Sequence, residues 1–244
     1  MNGNPLVTML VASHNKGRWL ASCLWSIFNQ SYRPIETVVC DNGSTDQSEA
    51  LIRVFESAPG FKCLFHPEAL GVSRAINACL EKATGEYVGM LGADDEARPD
   101  FVEGLMRVAF SEPDADMIFG DLEEIDEAGK VTGYGSAAGG FGTIFDRCSI
   151  GHASSVVKKS VYNELGGYDE NLKSSVDWEF IVRLLKAGKR AVYSGTSGYR
   201  WRRHAATMTR MFGLSSETRK NSHSYIRRKH GLSGKCSCGC GAEG

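Results

Sequence analysis

The first 120 residues alternate between short apolar runs and amphipathic segments, and no other feature constrains the fold of this chain as strongly. Apolar runs typical of buried strands cover 6–12, 35–40, 61–65 and 87–91. Each is followed by a segment whose apolar residues recur at three- and four-residue spacing, which indicates a helix packed on a sheet. Because strands joined by helices pair in parallel, we predict an α/β fold with a mostly parallel, Rossmann-like sheet flanked by helices.

The pattern changes after residue 121. A hairpin turn is predicted at 127–130, and the segment 133–142 is rich in Gly and Ala, which is typical of a lid or of a plain linker. Short strands are expected at 154–157 and 191–194. The second part of the chain is therefore predicted to follow different connection rules from the first.

Length and hydrophobic content predict the domain organisation. A chain of 244 residues with 42% hydrophobic residues can bury one sizeable core. We assign 1–212 to one domain with two halves, 1–121 and 122–212, and 213–244 to a basic helical extension with a Cys-rich tail.

The charge balance excludes one class of partner and suggests another. A net charge of −1 argues against nucleic acid binding. Between Arg200 and Lys235, however, there are ten Lys or Arg residues and one acid, so this end favours phosphate groups or an anionic surface. The run 227–229 of the predicted helix 213–230 is either a contact for anionic lipid head groups or a solvated helix face.

Neither a secretory signal nor a membrane-spanning segment is visible, since no apolar stretch approaches the roughly 20 residues that a span needs. The sequence therefore predicts a soluble, cytoplasmic protein. A peripheral position at the inner face of the membrane, through the basic segment, stays open as an alternative.

Carboxylates follow two of the predicted strands. Asp41 ends the strand 35–40, and Asp94 and Asp95 follow the strand 87–91. Ligands of open α/β sheets bind beyond the carboxyl ends of the strands, and carboxylate oxygens are typical ligands of Mg²⁺ or Mn²⁺. The pattern favours a metal site at Asp94 and Asp95 and a sugar or base contact at Asp41; an acidic surface turn and an Asx-turn are the structural alternatives.

A third acid, Asp177, opens a helix predicted at 176–187, where it is either a functional acid or a helix cap beside Ser174 and Ser175. Neither a glycine fingerprint for dinucleotides nor a P-loop follows the first strand. Hydride transfer and ATP hydrolysis therefore lose support.

Several segments together resemble the family-2 glycosyltransferases of the GT-A fold over about 6–209. The matching segments are ASHN (12–15), VVCDNGSTDQS (38–48), GVSRAINACLEKATGEYVGMLGADD (71–95), GGYDENLKSSVDWEF (166–180) and WRRH (201–204). Their order and spacing are more specific than any one of them.

The resemblance implies a role for each matching residue. The predicted donor-binding residues are Ala12, Ser13 and His14 around the base, Asp41 reading the base, Ala93 and Asp94 in the metal motif, and Arg74, Arg202 and Arg203 near the phosphates. It also implies Asp177 as the catalytic acid–base residue, with 1–121 as the nucleotide-sugar-binding half and 122–212 as the acceptor and catalytic half. Asp94, Asp95 and His204 are the predicted metal ligands, for Mn²⁺ or Mg²⁺.

Three positions depart from the pattern of the family. Gly92 stands where many members carry the first Asp of the metal motif, and Val176 stands where a Glu often precedes the catalytic Asp. Ile76 replaces an Arg, for which neighbouring Arg74 is the nearest substitute.

The function implied by the resemblance is inverting transfer of a sugar from a nucleotide diphosphate sugar, a UDP-sugar first, to an acceptor hydroxyl. The acceptor is a saccharide, a lipid-linked molecule or a protein, as in the synthesis of surface polysaccharides or glycoconjugates. Two alternatives remain: a nucleotide-sugar-binding relative without turnover, which Gly92 and Val176 favour, and a sugar-phosphate nucleotidyltransferase.

The tail carries Cys236, Cys238 and Cys240. The usual structural zinc pattern separates its cysteines by two to four residues, and here single residues separate them. We expect a disordered, thiol-bearing end, with binding of a soft metal as the alternative.

Overall fold

The computed structural model describes residues 3–205, 207, 217–234 and 236–238. Its strands are β1 (Val7–Ser13), β2 (Ile35–Asn42), β3 (Phe61–His66), β4 (Tyr87–Met90), β5 (Glu96–Ala97), β6 (Met117–Ile125), β7 (Val131–Gly135), β8 (Ser155–Lys158) and β9 (Ala191–Arg202). Its α-helices are α1 (Gly17–Phe28), α2 (Ser48–Val54), α3 (Val72–Lys82), α4 (Phe101–Ser111), α5 (Lys159–Leu165), α6 (Val176–Lys186) and α7 (Glu217–His230). Short 3₁₀ turns lie at Gly140–Gly142 and His152–Ser154.

The strands form one sheet in the order β3-β2-β1-β4-β8-β6-β9-β5, with β7 paired to β6. The pairs among β1 to β4 are parallel, as the helical connections require. Antiparallel pairs enter where β8 joins β4 and β6, while β6 and β9 are parallel. The α/β prediction is confirmed, and the parallel part of the sheet is concentrated in the first half.

Each face of the sheet has its own hydrophobic core. Val39 and the apolar side chains of α1 and α4 belong to one buried cluster, whereas Val38, Cys40 and the apolar side chains of α3 and α6 belong to the other. Successive strand residues point to opposite faces, so one buried strand supplies both cores. Both faces are covered by helices, and the edge at the carboxyl ends of the strands is left for a site.

The last strand is much longer than predicted. The sequence pattern supports only 191–194, yet β9 continues to Arg202 and pairs with β6 on one side and β5 on the other. Gly195 and Gly198 argue against a strand by propensity, but Gly195 has φ +68° and a Cβ on Gly198 would lie 2.8 Å from Phe101 Cα. These glycines therefore permit a bend and a close approach within the strand.

The Gly- and Ala-rich segment is only partly a loop. Residues 131–135 form β7, which pairs antiparallel with β6 across the predicted hairpin turn. The remainder includes the turn Gly140–Gly142. The prediction of a lid or linker over 133–142 is thus wrong for the first residues of the segment, because ladder hydrogen bonds to β6 order them.

Helix α7 belongs to the same core as the rest of the chain. Its Ile226 is fully buried in the cluster that includes α6, and Arg227 is 1% exposed. Lys229 pairs with Asp169 at 2.7 Å and with Glu179 at 2.8 Å. The lipid-contact and solvated-face interpretations are therefore wrong for the buried Arg227, whereas Arg228 and Lys229 are exposed, as a solvated helix face requires.

The predicted start of this helix, 213–216, lies outside the described residues, and so does Cys240. Among the described parts of the chain, the helices are too short or too polar to cross a membrane.

Candidate active site

Asp94 is the point at which three separate parts of the chain meet. It follows β4, and its Oδ2 lies 2.6 Å from Lys16 Nζ and 2.8 Å from His204 Nε2. Lys16 precedes α1, and His204 follows β9. The Trp19 ring packs on the His204 ring with centroids 4.1 Å apart. The structure thus brings together two predicted site residues, Asp94 and His204, that are 110 positions apart.

Asp95 has very different surroundings from its neighbour. Its Oδ2 accepts a hydrogen bond from the Tyr199 hydroxyl, and its Oδ1 accepts the Arg202 backbone N–H at 2.7 Å. Burial, followed by the charge of Asp94, raises the pKa of this carboxyl to about 7. Both oxygens face the protein, so Asp95 is not brought to Asp94 and His204 as the third predicted metal ligand.

Arg202 is also turned inward. It is 2% exposed, and its Nε donates to the Asp94 carbonyl at 2.8 Å. Its other nitrogens donate to the Asp126 and Glu127 carbonyls, at 3.0 and 3.1 Å, and to the Glu96 carboxylate. The structure therefore places this predicted phosphate-binding residue behind the site, where it holds the backbone of Asp94.

Unpartnered polar atoms mark the carboxyl ends of β1 and β2. Ser13 and Asp41 are register partners on these adjacent strands, and both are almost fully buried. Asp41 Oδ1 accepts the Ser44 N–H at 2.8 Å, as in an Asx-turn. Within the described residues, however, Asp41 Oδ2 and Ser13 Oγ have no hydrogen-bond partner. Buried polar atoms rarely stay unpaired, so these two point to a ligand.

The remaining predicted donor-binding residues lie in varied positions. Ala12 and His14 flank Ser13, and the exposed His14 ring is held by its Nδ1, 2.9 Å from the Asn42 carbonyl. Ala93 is buried beside Asp94. Arg203 stacks on the Trp201 ring at 4.1 Å.

Arg74 is brought to a different contact. Its Nε lies 3.1 Å from Glu170, and its side chain is exposed at 58%. It therefore lies on the surface of α3 with an acid from the segment before α6, and its donor-binding role stays a prediction.

Asp177 is the second residue of α6 and is partly buried. Its Oδ1 accepts the Trp178 N–H at 2.9 Å, and its Oδ2 lies 3.7 Å from Cys148 Sγ. Burial raises the pKa of this carboxyl. A carboxylate with a raised pKa is a better proton acceptor than an ordinary surface Asp.

Trp178 is an interior residue. It is completely buried, and its Nε1 donates to the Ile144 carbonyl at 2.6 Å. Its side chain therefore anchors the start of α6 and leaves no exposed surface for an acceptor.

The departure at Gly92 has a local explanation. A Cβ at this position would collide with Asp95 Oδ2. The inward carboxylate of Asp95 thus occupies the space that a larger residue at 92 would need, and the two positions are linked.

Asp94 and His204 form a pair of side chains that fits a divalent cation. Asp94 and His204 supply a hard oxygen and an imidazole at one place, and Mg²⁺ and Mn²⁺ are commonly held by one or two protein carboxylates together with substrate phosphates. Lys16 shares the same carboxylate oxygen, so cation binding has to displace or complement this ion pair.

Three residues near Asp94 escape prediction from the pattern: Lys16, Trp19 and Tyr199. Lys16 and Trp19 lie in the segment KGRW (16–19), shortly after the first predicted strand and near the edge of the sheet where ligands bind. That position was the available signal for both. No sequence signal marks Tyr199, because its contact with Asp95 depends on the unexpected length of β9.

The sequence model of the family described as Glycosyl transferase family 2 matches residues 8–164, and the chain belongs to this family. Relatives include a hyaluronan synthase of Pasteurella multocida, 24% identical over 78% of this chain and 20% of that protein. The putative glycosyltransferase EpsH of Bacillus subtilis is 30% identical over 52% of this chain and 37% of its own length. This chain thus spans between a fifth and two fifths of these relatives.

Solved structures share the fold. TarS 1–349 of S. aureus in complex with UDP-GlcNAc superposes with a TM-score of 0.73 at 16% identity, covering 91% of this chain and 66% of that one. A mannosyltransferase of Pyrobaculum calidifontis, in complex with GDP-Man and Mn²⁺, gives a TM-score of 0.68 at 18% identity, covering 96% and 66%. The fold is GT-A, as the sequence predicted.

Proposed function

We propose that this chain is an inverting, metal-dependent glycosyltransferase that moves a sugar from a UDP-sugar to an acceptor hydroxyl. The observation that carries the proposal is the pair of buried, unpartnered atoms Ser13 Oγ and Asp41 Oδ2 at the edge that also holds Asp94. A carboxylate oxygen accepts and a hydroxyl donates or accepts, which suits the N–H and carbonyl groups of a pyrimidine base. The UDP-GlcNAc of TarS supports a UDP-sugar as the first donor to test.

The diphosphate of the donor would lie near Asp94. Asp94 and His204 are the residues that would hold a divalent cation, which supplies positive charge to balance the leaving diphosphate. Lys16 is placed to add positive charge at the same position. Arg202, through the carbonyl of Asp94, fixes the backbone of the ligand residue.

Asp177 is the proposed base. Its carboxylate would take the proton of the acceptor hydroxyl while that oxygen attacks the anomeric carbon. Because nucleophile and leaving group lie on opposite faces of the sugar, one displacement inverts the configuration and needs no covalent enzyme intermediate. The acceptor, whether saccharide, lipid-linked molecule or protein, belongs to the synthesis of surface polysaccharide or glycoconjugates in this proposal.

Thermal stabilisation by nucleotide sugars tests donor binding. We expect a UDP-sugar with Mn²⁺ to raise the Tm, because a ligand of the folded state stabilises it by mass action. Asp41→Asn should reduce the shift in the presence and absence of metal, whereas Asp94→Ala should abolish only the metal-dependent part. Asp114→Asn, an exposed acid, is the matched control.

Two results would contradict the proposal. If the donor stabilises the wild type equally with and without chelator, Asp94 holds no cation that contributes to donor binding. If the donor stabilises Asp41→Asn as much as the wild type, Asp41 does not contact the base.

A binding protein without turnover is the second candidate, and the Lys16–Asp94 ion pair favours it because a lysine can replace the charge of a cation. Mass spectrometry of donor with a panel of acceptors separates the two candidates. Donor-dependent stabilisation without any transfer or hydrolysis product would favour the binding protein.

A further inference from the structure

One imidazole and two thiols lie close together in the last described part of the chain. His223 lies on α7, and Cys236 and Cys238 follow that helix. Their potential ligand atoms all lie within 4.8 Å of one another. His223 Nδ1 is 3.3 Å from Cys236 Sγ and 3.4 Å from Cys238 Sγ, and the two sulfurs are 2.9 Å apart.

The two nitrogen–sulfur distances are close to those around a tetrahedral metal, and the sulfur–sulfur distance is shorter. With zinc–sulfur bonds of about 2.3 Å and zinc–nitrogen bonds of about 2.0–2.1 Å, ligand atoms are separated by about 3.6 Å for sulfur to nitrogen and about 3.8 Å for sulfur to sulfur. The two nitrogen–sulfur distances are within a few tenths of an ångström of that value. The sulfur pair is closer, but much further apart than the roughly 2.0 Å of a disulfide.

After α7 the chain turns back towards this helix, and hydrogen bonds fix the turn. Helix α7 ends at His230, after which Gly231 and Gly234 adopt φ of +59° and +81°. The buried Arg227 donates to the carbonyls of Ser233 and, at 3.2 Å, Gly234. Two left-handed glycines and one buried guanidinium thus direct the following cysteines back along α7.

The imidazole is already oriented for ligation. His223 Nε2 is hydrogen-bonded to Ser175 Oγ at 2.8 Å, which leaves Nδ1 towards the two sulfurs. Metal-bound histidines typically have their second nitrogen held in this way.

We propose that His223 Nδ1, Cys236 Sγ and Cys238 Sγ bind one soft divalent cation, zinc first, as a structural site separate from the cation of the transfer reaction. Binding releases both thiol protons to solvent, and the two thiolates balance the charge of the ion. The expectation of a disordered end is wrong for these cysteines, because Cys236 is 6% exposed and, with Cys238, packs in the buried cluster that includes α6. The close Cys-x-Cys spacing is acceptable because the third ligand comes from a helix 13 residues earlier.

The site has a structural consequence for the transfer reaction. Ser175, which holds His223, precedes α6 with φ +56°, and the Trp178 ring contacts the His223 ring at 4.6 Å. A metal that fixes His223 therefore braces the beginning of the helix that carries Asp177. The site is expected to act on stability and on the position of Asp177.

Metal analysis of the full chain tests the proposal. The protein is purified without a polyhistidine tag, under reducing conditions and without chelator, and its metal content is measured by elemental mass spectrometry. We expect about one zinc per chain in the wild type and a several-fold lower content in Cys238→Ser and His223→Gln. Cys63→Ser, a partly buried cysteine on β3, is the matched control and should keep its zinc.

Cobalt and a chelator give readouts that do not depend on the variants folding. Co²⁺ added to the metal-free wild type should produce a sulfur-to-cobalt charge-transfer band. A zinc chelator should lower the Tm of the zinc-loaded wild type. A folded, reduced wild type that takes up neither zinc nor cobalt overturns the proposal. A mass two hydrogens lower, with a bond mapped between Cys236 and Cys238 and no metal, also overturns it.

Discussion

Two adjacent carboxylates in this chain have opposite surroundings. Asp94 faces Lys16 and His204, whereas Asp95 is buried against Tyr199 and the backbone of Arg202. Burial raises the pKa of Asp95 to about 7. At the residue scale, Asp94 is therefore the candidate ligand, and Asp95 connects it to β9.

Replacing the proposed base gives the sharpest residue-scale prediction. Asp177→Asn keeps the shape of the side chain but removes its ability to take a proton, so we expect turnover to fall by on the order of 10²–10⁴-fold with donor binding retained. Steady-state rates and donor-dependent Tm shifts measure the two properties separately. Turnover within about tenfold of the wild type would assign the proton transfer to another group.

At the scale of elements, β9 organises the site more than any other strand. It carries Tyr199 and Arg202 and leads to His204, and it pairs with β5, which directly follows Asp94 and Asp95. Its long path depends on the approach of Gly198 to Phe101 in α4. A side chain at this position would push the strand away from the helix.

We therefore expect Gly198→Ala to destabilise the protein by about 1–3 kcal/mol, because its Cβ would meet Phe101 Cα at 2.8 Å. Urea unfolding monitored by circular dichroism measures the change. Gly139→Ala is the matched control, since a Cβ there has no neighbouring atom within 4 Å. Equal unfolding midpoints for the two variants would show that the approach is easily relaxed.

At the scale of the whole molecule, buried titratable groups connect stability to pH. His152 is 1% exposed and contacts the hydroxyls of Tyr162 and Tyr168 at 3.2–3.4 Å. Burial lowers its pKa from 6.5 to about 4. Between these values the unfolded chain binds the proton and the folded chain does not, so this stabilisation is complete above about pH 6.5 and is lost as the pH falls towards 4.

The expected loss from His152 between pH 7 and pH 5 is about 2 kcal/mol. The lowered pKa of His223 also reduces the stability of the folded protein as the pH falls. The raised pKa of Asp95 has the opposite effect and increases that stability on acidification. The test is therefore the difference between the wild type and His152→Gln in urea unfolding at both pH values, with exposed His14→Gln as control. Parallel pH dependences for wild type and His152→Gln would contradict the assignment.

The alternation of apolar runs and helical stripes was sufficient to predict β1 to β4, the parallel half of the sheet and the acids at its edge. Such patterns are local, because a buried strand must be apolar and a helix must repeat every three or four residues. The same logic places Asp41 and Asp94 at one edge before any coordinates are known.

Other parts of the site depended on contacts between residues distant in sequence. Only the tertiary structure decided that β9 reaches Arg202, that Lys16 and His204 share one oxygen of Asp94, and that Asp95 turns inward. It also decided that Cys236 and Cys238 return to His223. These features are set by strand pairing and by burial against remote side chains, which local periodicity does not encode.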